Sequence, residues 1–288
     1  MDGTRHSVAA PDGVRIGLLT AGTGPRLLLV HGGMGRIERW APMWEPLTER
    51  WRVTAMDRRG RGSSGDAEPY AIGKEYDDIA AVAAMLAAGE GGPVDVFAHS
   101  YGATCTLGAA ARGAPFRRIA LYEPPGPQTA RLDWVERSNA LVAEGRVGRA
   151  MVSFLTEIIG LTGGEIQELK NALGAYDVFP IVTATMPREA LALTGADLLS
   201  GAGAISCPVL LLLGERSPAW AGDISRALAS ALPAAGLVVL RGQGHDAVDS
   251  APELLVSELW RFLRRGGPAA AGEPAAAGEP TVAEGPLP

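Results

Sequence analysis

A chain of 288 residues, 47% of them apolar, can bury a sizeable core, either as one large domain or as a domain carrying an insertion. Its net charge of −6, with both signs interspersed, leaves no basic face to neutralise nucleic-acid phosphates, so no nucleic-acid partner is expected. The N-terminal stretch "MDGTRHSVAAPDG" has no apolar core of a secretory signal, and runs such as "CPVLLLL" are strand-length, far short of a membrane span.

The first forty residues read as strands. "GVRIGLLTAG" is followed by "PRLLLVHGG", a run too apolar to have a wet face, as in a strand buried on both sides. "WRVTAMD" is the next such run and ends at Asp57 in the loop "DRRGRGSSGD". Residues 73–88 carry helical periodicity through Tyr76, Ile79, Ala83 and Leu86 and stop at Gly89. Then come "PVDVFAHS", a small-residue helix "YGATCTLGAAARG", and "FRRIALYEPPG". Strands alternating with helices predict βαβ units and a mostly parallel sheet.

From residue 128 to 203 the alternation stops. "RLDWVERSNALVAEGRVGRAMVSFLTEIIG", "GGEIQELKNALGAY" and "MPREALALTGADLL" read as amphipathic helices, an all-helical insertion expected to form a cap. The sheet pattern resumes with "CPVLLLLGE", a helix from Asp223 to Leu232, "AGLVVLRG" and a closing helix "APELLVSELWRFLRR". The organisation expected is a core over 1–127 and 204–265 with the cap over 128–203 between them. The last segment, 266–288, repeats "AAAGEP" in tandem within a Pro/Gly/Ala/Glu-rich tail that has almost nothing to bury and is expected to be disordered.

Chemistry enters at "VDVFAHSYGATC". A serine on a sharp strand-to-helix turn needs small residues two before and two after it, and Ala98 and Gly102 meet that demand around Ser100. The turn sets Ser100 at a helix N-terminus, where negative charge is favoured, although a plain serine cap has the same outline. "LLLVHGGMG" ends a strand at His31-Gly32-Gly33, whose backbone amides can turn towards an oxyanion. With the N–H of Tyr101, Gly33 is the expected second donor and Met34 the next choice; each such donor is typically worth ~3–4 kcal/mol of barrier. His31 itself reads as a structural hydrogen-bonder. The base is expected at His245, on the loop "RGQGHDAVDS" between the last strand and the last helix. His6 is too near the N-terminus, and His99 should point away from the serine it precedes.

"VHGG", "MDRRGRGSSG", "AHSYGA" and "GQGHDAV" stand in the order and spacing of the α/β-hydrolase fold. The chain resembles the capped, serine-nucleophile members of that superfamily, in particular the actinobacterial-type hydrolases, over residues 10–265. The resemblance implies an α/β fold with a mostly parallel sheet flanked by helices, Ser100 as nucleophile, His245 as general base, and the amides of Gly33 and Tyr101 as oxyanion hole. It gives the "DRRGRGSS" loop a structural role, so Arg58, Arg59 and Arg61 receive no chemistry. The family's usual acid lies in a pattern like G-x-x-D-P after the penultimate strand, but this chain reads Gly214-Glu215-Arg216-Ser217-Pro218, with Ser217 in the aspartate slot. Glu123, ending the strand after the elbow helix, is the favoured substitute: some related enzymes, certain haloalkane dehalogenases among them, take a glutamate from there. Glu215 is the alternative acid, although strand alternation aims it to the other side. Asp223 reads as a charge near a helix N-terminus.

The insertion should cover the C-terminal edge of the sheet, where open α/β sheets bind ligands. Its apolar residues (Trp134, Leu141, Met151, Phe154, Ile158, Ile159, Phe179, Ile181) are first the cap's own core, with Trp134 and Phe154, and Met34 beside the oxyanion loop, as candidate substrate contacts. Arg188 and Glu189 in "MPRE" could touch substrate, but read first as an exposed ion pair. The expectation is a cofactor-free, metal-free cytoplasmic enzyme, monomer or homodimer, whose partner is a small-molecule substrate. Ser100 would cleave a smallish hydrophobic ester, thioester or lactone through an acyl-enzyme. C–C or amide hydrolysis, perhydrolase or cyclase chemistry would use the same triad. A ligand-binding protein without turnover is the alternative of another class, kept open by Ser217. Cys105 and Cys207 fit no metal or redox spacing and are expected to be inert core residues.

Overall fold

The computed structural model describes residues 1–89, 92–129, 131–164, 166–167 and 179–264, the side chains of 179–184 excepted. The helix read over 163–176 falls for the most part outside these residues, as do the tail at 266–288 and the side chains of Phe179 and Ile181. Eight strands form one sheet: β1 (Thr4–Ala9), β2 (Arg15–Ala21), β3 (Arg26–Val30), β4 (Arg52–Met56), β5 (Val94–His99), β6 (Phe116–Tyr122), β7 (Val209–Gly214) and β8 (Ala235–Leu240), in the order β1-β2-β4-β3-β5-β6-β7-β8. β1 and β2 pair antiparallel with each other, β2 pairs antiparallel with β4, and all the remaining pairings are parallel.

The absence of a wet face in the central strands has a direct cause. In β3, Leu28 and Val30 enter one apolar cluster while Leu27 and Leu29 enter the other, and β7 divides Val209 and Leu211 from Leu210 and Leu212 in the same way. Period-2 alternation thus feeds two cores, one on each face. The first is closed by α2 (Ile72–Ala88), α3 (Tyr101–Ala111) and α7 (Ala219–Ala231). The second is closed by α1 (Ala41–Thr48), the single turn α8 (Ala247–Ser250) and α9 (Pro252–Arg264).

Two elements fall outside the runs named in the sequence. β1 is an edge strand whose side chains are mostly exposed, so it carries no buried alternation to read. α1 contains Pro42 in its first turn, where a missing N–H costs nothing, and Pro46 within it.

Between β6 and β7 the chain forms α4 (Leu132–Ala143), α5 (Val147–Ser153) running into a π-helical turn at Phe154–Ile158, and α6 (Phe179–Leu193). Trp134, Val135, Met151, Leu155, Ile158, Ile166 and Met186 form a third apolar cluster here, separate from those on the sheet. No helix among the described residues is long and apolar enough to cross a membrane.

Candidate active site

The residues singled out in the sequence converge at the C-terminal ends of β3, β5, β6 and β8. Ser100 follows β5 with φ 53° and ψ −129°, a left-handed backbone that a non-glycine residue adopts only at a cost of ~1–3 kcal/mol. The surroundings enforce it. Ser100 N–H donates to the Tyr122 carbonyl at 2.8 Å, and its own carbonyl accepts from Ala103 and Thr104 to open α3. A β-carbon at Gly102 would collide with the carbonyl oxygens of His31 and Val30, and one at Gly32 would lie 2.9 Å from the Ser100 Cβ. The glycine two after the serine is therefore obligatory, whereas the fully buried Ala98 two before it fits.

His245 Nε2 stands 3.0 Å from Ser100 Oγ, and its Nδ1 stands 2.5 Å from Glu123 Oε2. Glu123 is completely buried, and its other oxygen, Oε1, accepts the Gly214 N–H at 2.6 Å. An acceptor on Nδ1 fixes that nitrogen as the protonated one, which leaves Nε2 free to accept from the serine hydroxyl. Glu123 also has a left-handed backbone, φ 49°, and its N–H bonds to Leu212 O on the neighbouring strand. Glu215 is exposed and its Oε2 accepts the Gly242 N–H at 2.7 Å. Of the two candidate acids, the structure brings Glu123 to His245 and leaves Glu215 outside. Ser217 Oγ is buried without a hydrogen-bond partner among the described residues.

The other histidines play supporting parts. His99 Nε2–H donates to the His245 carbonyl at 3.0 Å, and burial holds its imidazole well below the usual range, so it is neutral. Trp220 meets the His245 ring edge-on at 5.4 Å between centroids. His31, whose pKa burial likewise depresses, accepts the Arg58 N–H on Nε2 and donates from Nδ1 to Gly32 O.

That Gly32 carbonyl also accepts from Arg58 Nη1 and from Gly35 N, each at 3.1 Å. In a trans peptide the C=O of Gly32 and the N–H of Gly33 point in opposite directions. Three donors pulling the carbonyl inward therefore turn the Gly33 N–H the other way. Neither that N–H nor that of Tyr101 is consumed by a hydrogen bond among the described residues, and both residues line cavities bordered by Ser100.

Ser100 separates two such cavities. The larger, about 130 Å³, is bounded by Met34, Phe154, Ile159 and Leu161 on its apolar side and by His245, Asp246, Asp249 and Arg39 at its rim. The smaller, about 50 Å³, lies under Tyr101, Trp134, Phe154, Met186, Leu193 and Trp220 and includes Glu189. Met34, Trp134 and Phe154 line these cavities, and so do Trp220, Arg39 and Asp249, which had no motif to mark them.

Glu189 corrects an expectation. It is 3% exposed and does not pair with Arg188; its Oε1 accepts from Arg58 Nη2 and Arg61 Nη2, both at 2.8 Å. Adjacent helix residues face different sides, so Arg188 reaches Asp66 and Glu68 instead. Arg58 further binds Glu75 through two bonds, and Arg59 binds Asp78. Among the described residues no group of three or more His, Cys, Asp or Glu side chains could hold a metal ion.

Comparison with known proteins gives this geometry a context. A model of the Alpha/beta hydrolase family matches residues 27–258. An alpha/beta hydrolase of Sphaerobacter thermophilus superposes with TM-score 0.78 at 34% identity, covering 90% of this chain and 100% of that one. The pimeloyl-[acyl-carrier protein] methyl ester esterase of Nitrosomonas europaea is 27% identical over 251 residues, 83% of this chain and 95% of the esterase. A stretch of 100 residues is 39% identical to the probable oxidoreductase EphD of Mycobacterium tuberculosis; it covers 33% of this chain but spans only 17% of EphD.

Proposed function

This chain belongs to the alpha/beta hydrolase family, and we propose that it is a serine esterase, cleaving small, rather hydrophobic carboxylic esters, thioesters or lactones through an acyl-enzyme on Ser100. The observation that carries this reading is the continuous chain Ser100 Oγ–His245 Nε2 at 3.0 Å and His245 Nδ1–Glu123 Oε2 at 2.5 Å. His245 Nε2 takes the hydroxyl proton as Ser100 Oγ attacks the carbonyl carbon. The tetrahedral oxyanion is met by the N–H groups of Gly33 and Tyr101. Glu123 holds the tautomer and stabilises the imidazolium. The imidazolium then returns its proton to the leaving oxygen, and water repeats the sequence on the acyl-enzyme to release the acid. The methyl ester esterase of Nitrosomonas europaea, similar over most of both chains, supports an ester as substrate.

A fluorophosphonate probe tests the nucleophile. Labelling should map to Ser100 and disappear in Ser100→Ala and His245→Ala, with parallel loss of p-nitrophenyl butyrate hydrolysis. Absence of labelling at neutral pH, together with tight binding of a small apolar ligand, would replace the enzyme by a binding protein of the same fold.

A further inference from the structure

The two cavities beside Ser100 divide an ester between them. The leaving oxygen must meet His245 Nε2, so the alkoxy half occupies the larger cavity, which His245 lines. The acyl half then turns into the smaller one, whose 50 Å³ gives room for roughly four water-sized groups.

Several polar groups of that smaller cavity already have partners. Trp134 Nε1 donates to Ser153 Oγ, Trp220 Nε1 donates to the Ile158 carbonyl, and Thr129 Oγ1 accepts the Gly126 N–H. Glu189 is different. Its Oε1 is held by Arg58 and Arg61, but its Oε2 takes no hydrogen bond among the described residues. Oε2 lies 3.4 Å from where a β-carbon on Gly33 would stand, beside the peptide that faces the reacting carbonyl. This oxygen belongs to a residue that lines the cavity, so a donor on the ligand would find a charged acceptor there.

The charge balance decides what kind of donor. Arg58 and Arg61 face Glu75 and Glu189, and the four charges cancel. A neutral hydroxyl enters without adding a buried charge. An ammonium would arrive without a free counter-charge, and a carboxylate would be repelled by Oε2 directly. We infer that Glu189 makes the acyl cavity specific for a short acyl group bearing a neutral hydroxyl one or two carbons from the reacting carbonyl, and closes it to acyl groups bearing a second carboxylate. This rests on the esterase reading above.

The test compares kcat/KM for three phenyl esters: 3-hydroxybutyrate, 3-methylbutyrate (a methyl in place of the hydroxyl) and hydrogen succinate. The hydroxy ester should exceed the methyl ester by about ten- to a hundred-fold, the range of one hydrogen bond to a charged group. The succinate ester should fall below both. Glu189→Gln keeps an acceptor for the two arginines and turns an amide N–H₂ to the cavity, so it should raise the succinate ester relative to the methyl ester at least ten-fold. Equal kcat/KM for the hydroxy and methyl esters in the wild type overturns the inference, and so does an unchanged succinate ratio in Glu189→Gln. If that variant does not fold, the wild-type pair decides alone. Binding of 3-hydroxybutyramide and 3-methylbutyramide to Ser100→Ala, by calorimetry, keeps the two readings apart. Discrimination between the amides without any ester turnover refutes the esterase and upholds the pocket; turnover without discrimination does the reverse.

Discussion

Glu123→Gln is the substitution on which the proposed triad turns. The carboxylate makes two contacts that both need an acceptor: the Gly214 N–H at 2.6 Å and His245 Nδ1–H at 2.5 Å. Glutamine offers one carbonyl and one amide. If the carbonyl stays on Gly214, the amide faces Nδ1, the ring proton moves to Nε2, and the imidazole can no longer accept from Ser100. That tautomer error is worth roughly 10³–10⁴-fold in kcat, or about 4–5.5 kcal/mol of barrier. If the carbonyl turns to His245, Gly214 N is left facing a donor, which costs about 1–3 kcal/mol of stability instead. The assay is kcat on p-nitrophenyl butyrate alongside a thermal melt, with KM expected to change little because Glu123 itself lines neither cavity. Glu215→Gln, which disturbs one exposed contact to Gly242, should stay near wild type. The reasoning is refuted if Glu123→Gln keeps kcat within about three-fold without losing stability, or if Glu215→Gln shows the loss instead.

A carboxylate reintroduced at the position after β7, in Glu123→Gln/Ser217→Asp, should recover at least ten-fold of the lost kcat, since Ser217 Oγ is buried at the Gly214 turn that Glu123 now occupies; no recovery would mean that His245 Nδ1 is out of reach from there. Gly102→Ala drives a methyl into the carbonyls of Val30 and His31 and should cost several kcal/mol or abolish soluble expression, whereas Ala98→Gly should leave kcat within a few-fold; a chemical melt with active-site titration checks both. Arg58→Met should lower kcat more than it raises KM, and weaken a boronic acid inhibitor, because it releases the Gly32 carbonyl and with it the aim of the Gly33 N–H; a rise in KM alone would contradict that role. Cys105 is fully buried with its thiol pushed well above the usual range by desolvation, so a disulfide reagent should leave it untouched in the native protein and reach it only on unfolding.

What was legible in the sequence divides along physical lines. The parallel sheet showed itself because β3, β5 and β7 are buried on both faces and cannot hide their apolar runs. The elbow was legible because sterics at Gly102 leave one residue type. Glu189 was misread because nothing local in "MPRE" says that Arg58 and Arg61, more than a hundred positions earlier, will meet it across the insertion. Trp220 and Asp249 were missed for the same reason: they border the site through tertiary packing and belong to no motif of short range.

The place of the Glu123 carboxylate explains the second unusual backbone. β6 lies between the serine's strand and β7, so a side chain leaving its end in ordinary strand geometry would stand over its own strand. Glu123 instead takes φ 49° and donates its N–H to Leu212, which swings the carboxylate across the end of β7 to Gly214 N and on to His245. Gly214 has to be glycine for this, because a β-carbon there would press on Ser217 Oγ at 2.6 Å and Gln243 O at 2.7 Å. Two left-handed residues at neighbouring strand ends, each costing ~1–3 kcal/mol, hold serine and acid on either side of one imidazole. That strain is affordable because Ser100 and Glu123 are each tied by backbone hydrogen bonds to the next strand, Ser100 to Tyr122 on β6 and Glu123 to Leu212 on β7. Glycine at position 123 would relieve the strain and remove the carboxylate. Glu123→Gly should therefore match or exceed Glu123→Ala in thermal stability while both lose kcat alike; an alanine variant the more stable of the two would show that the left-handed turn is not imposed by the fold.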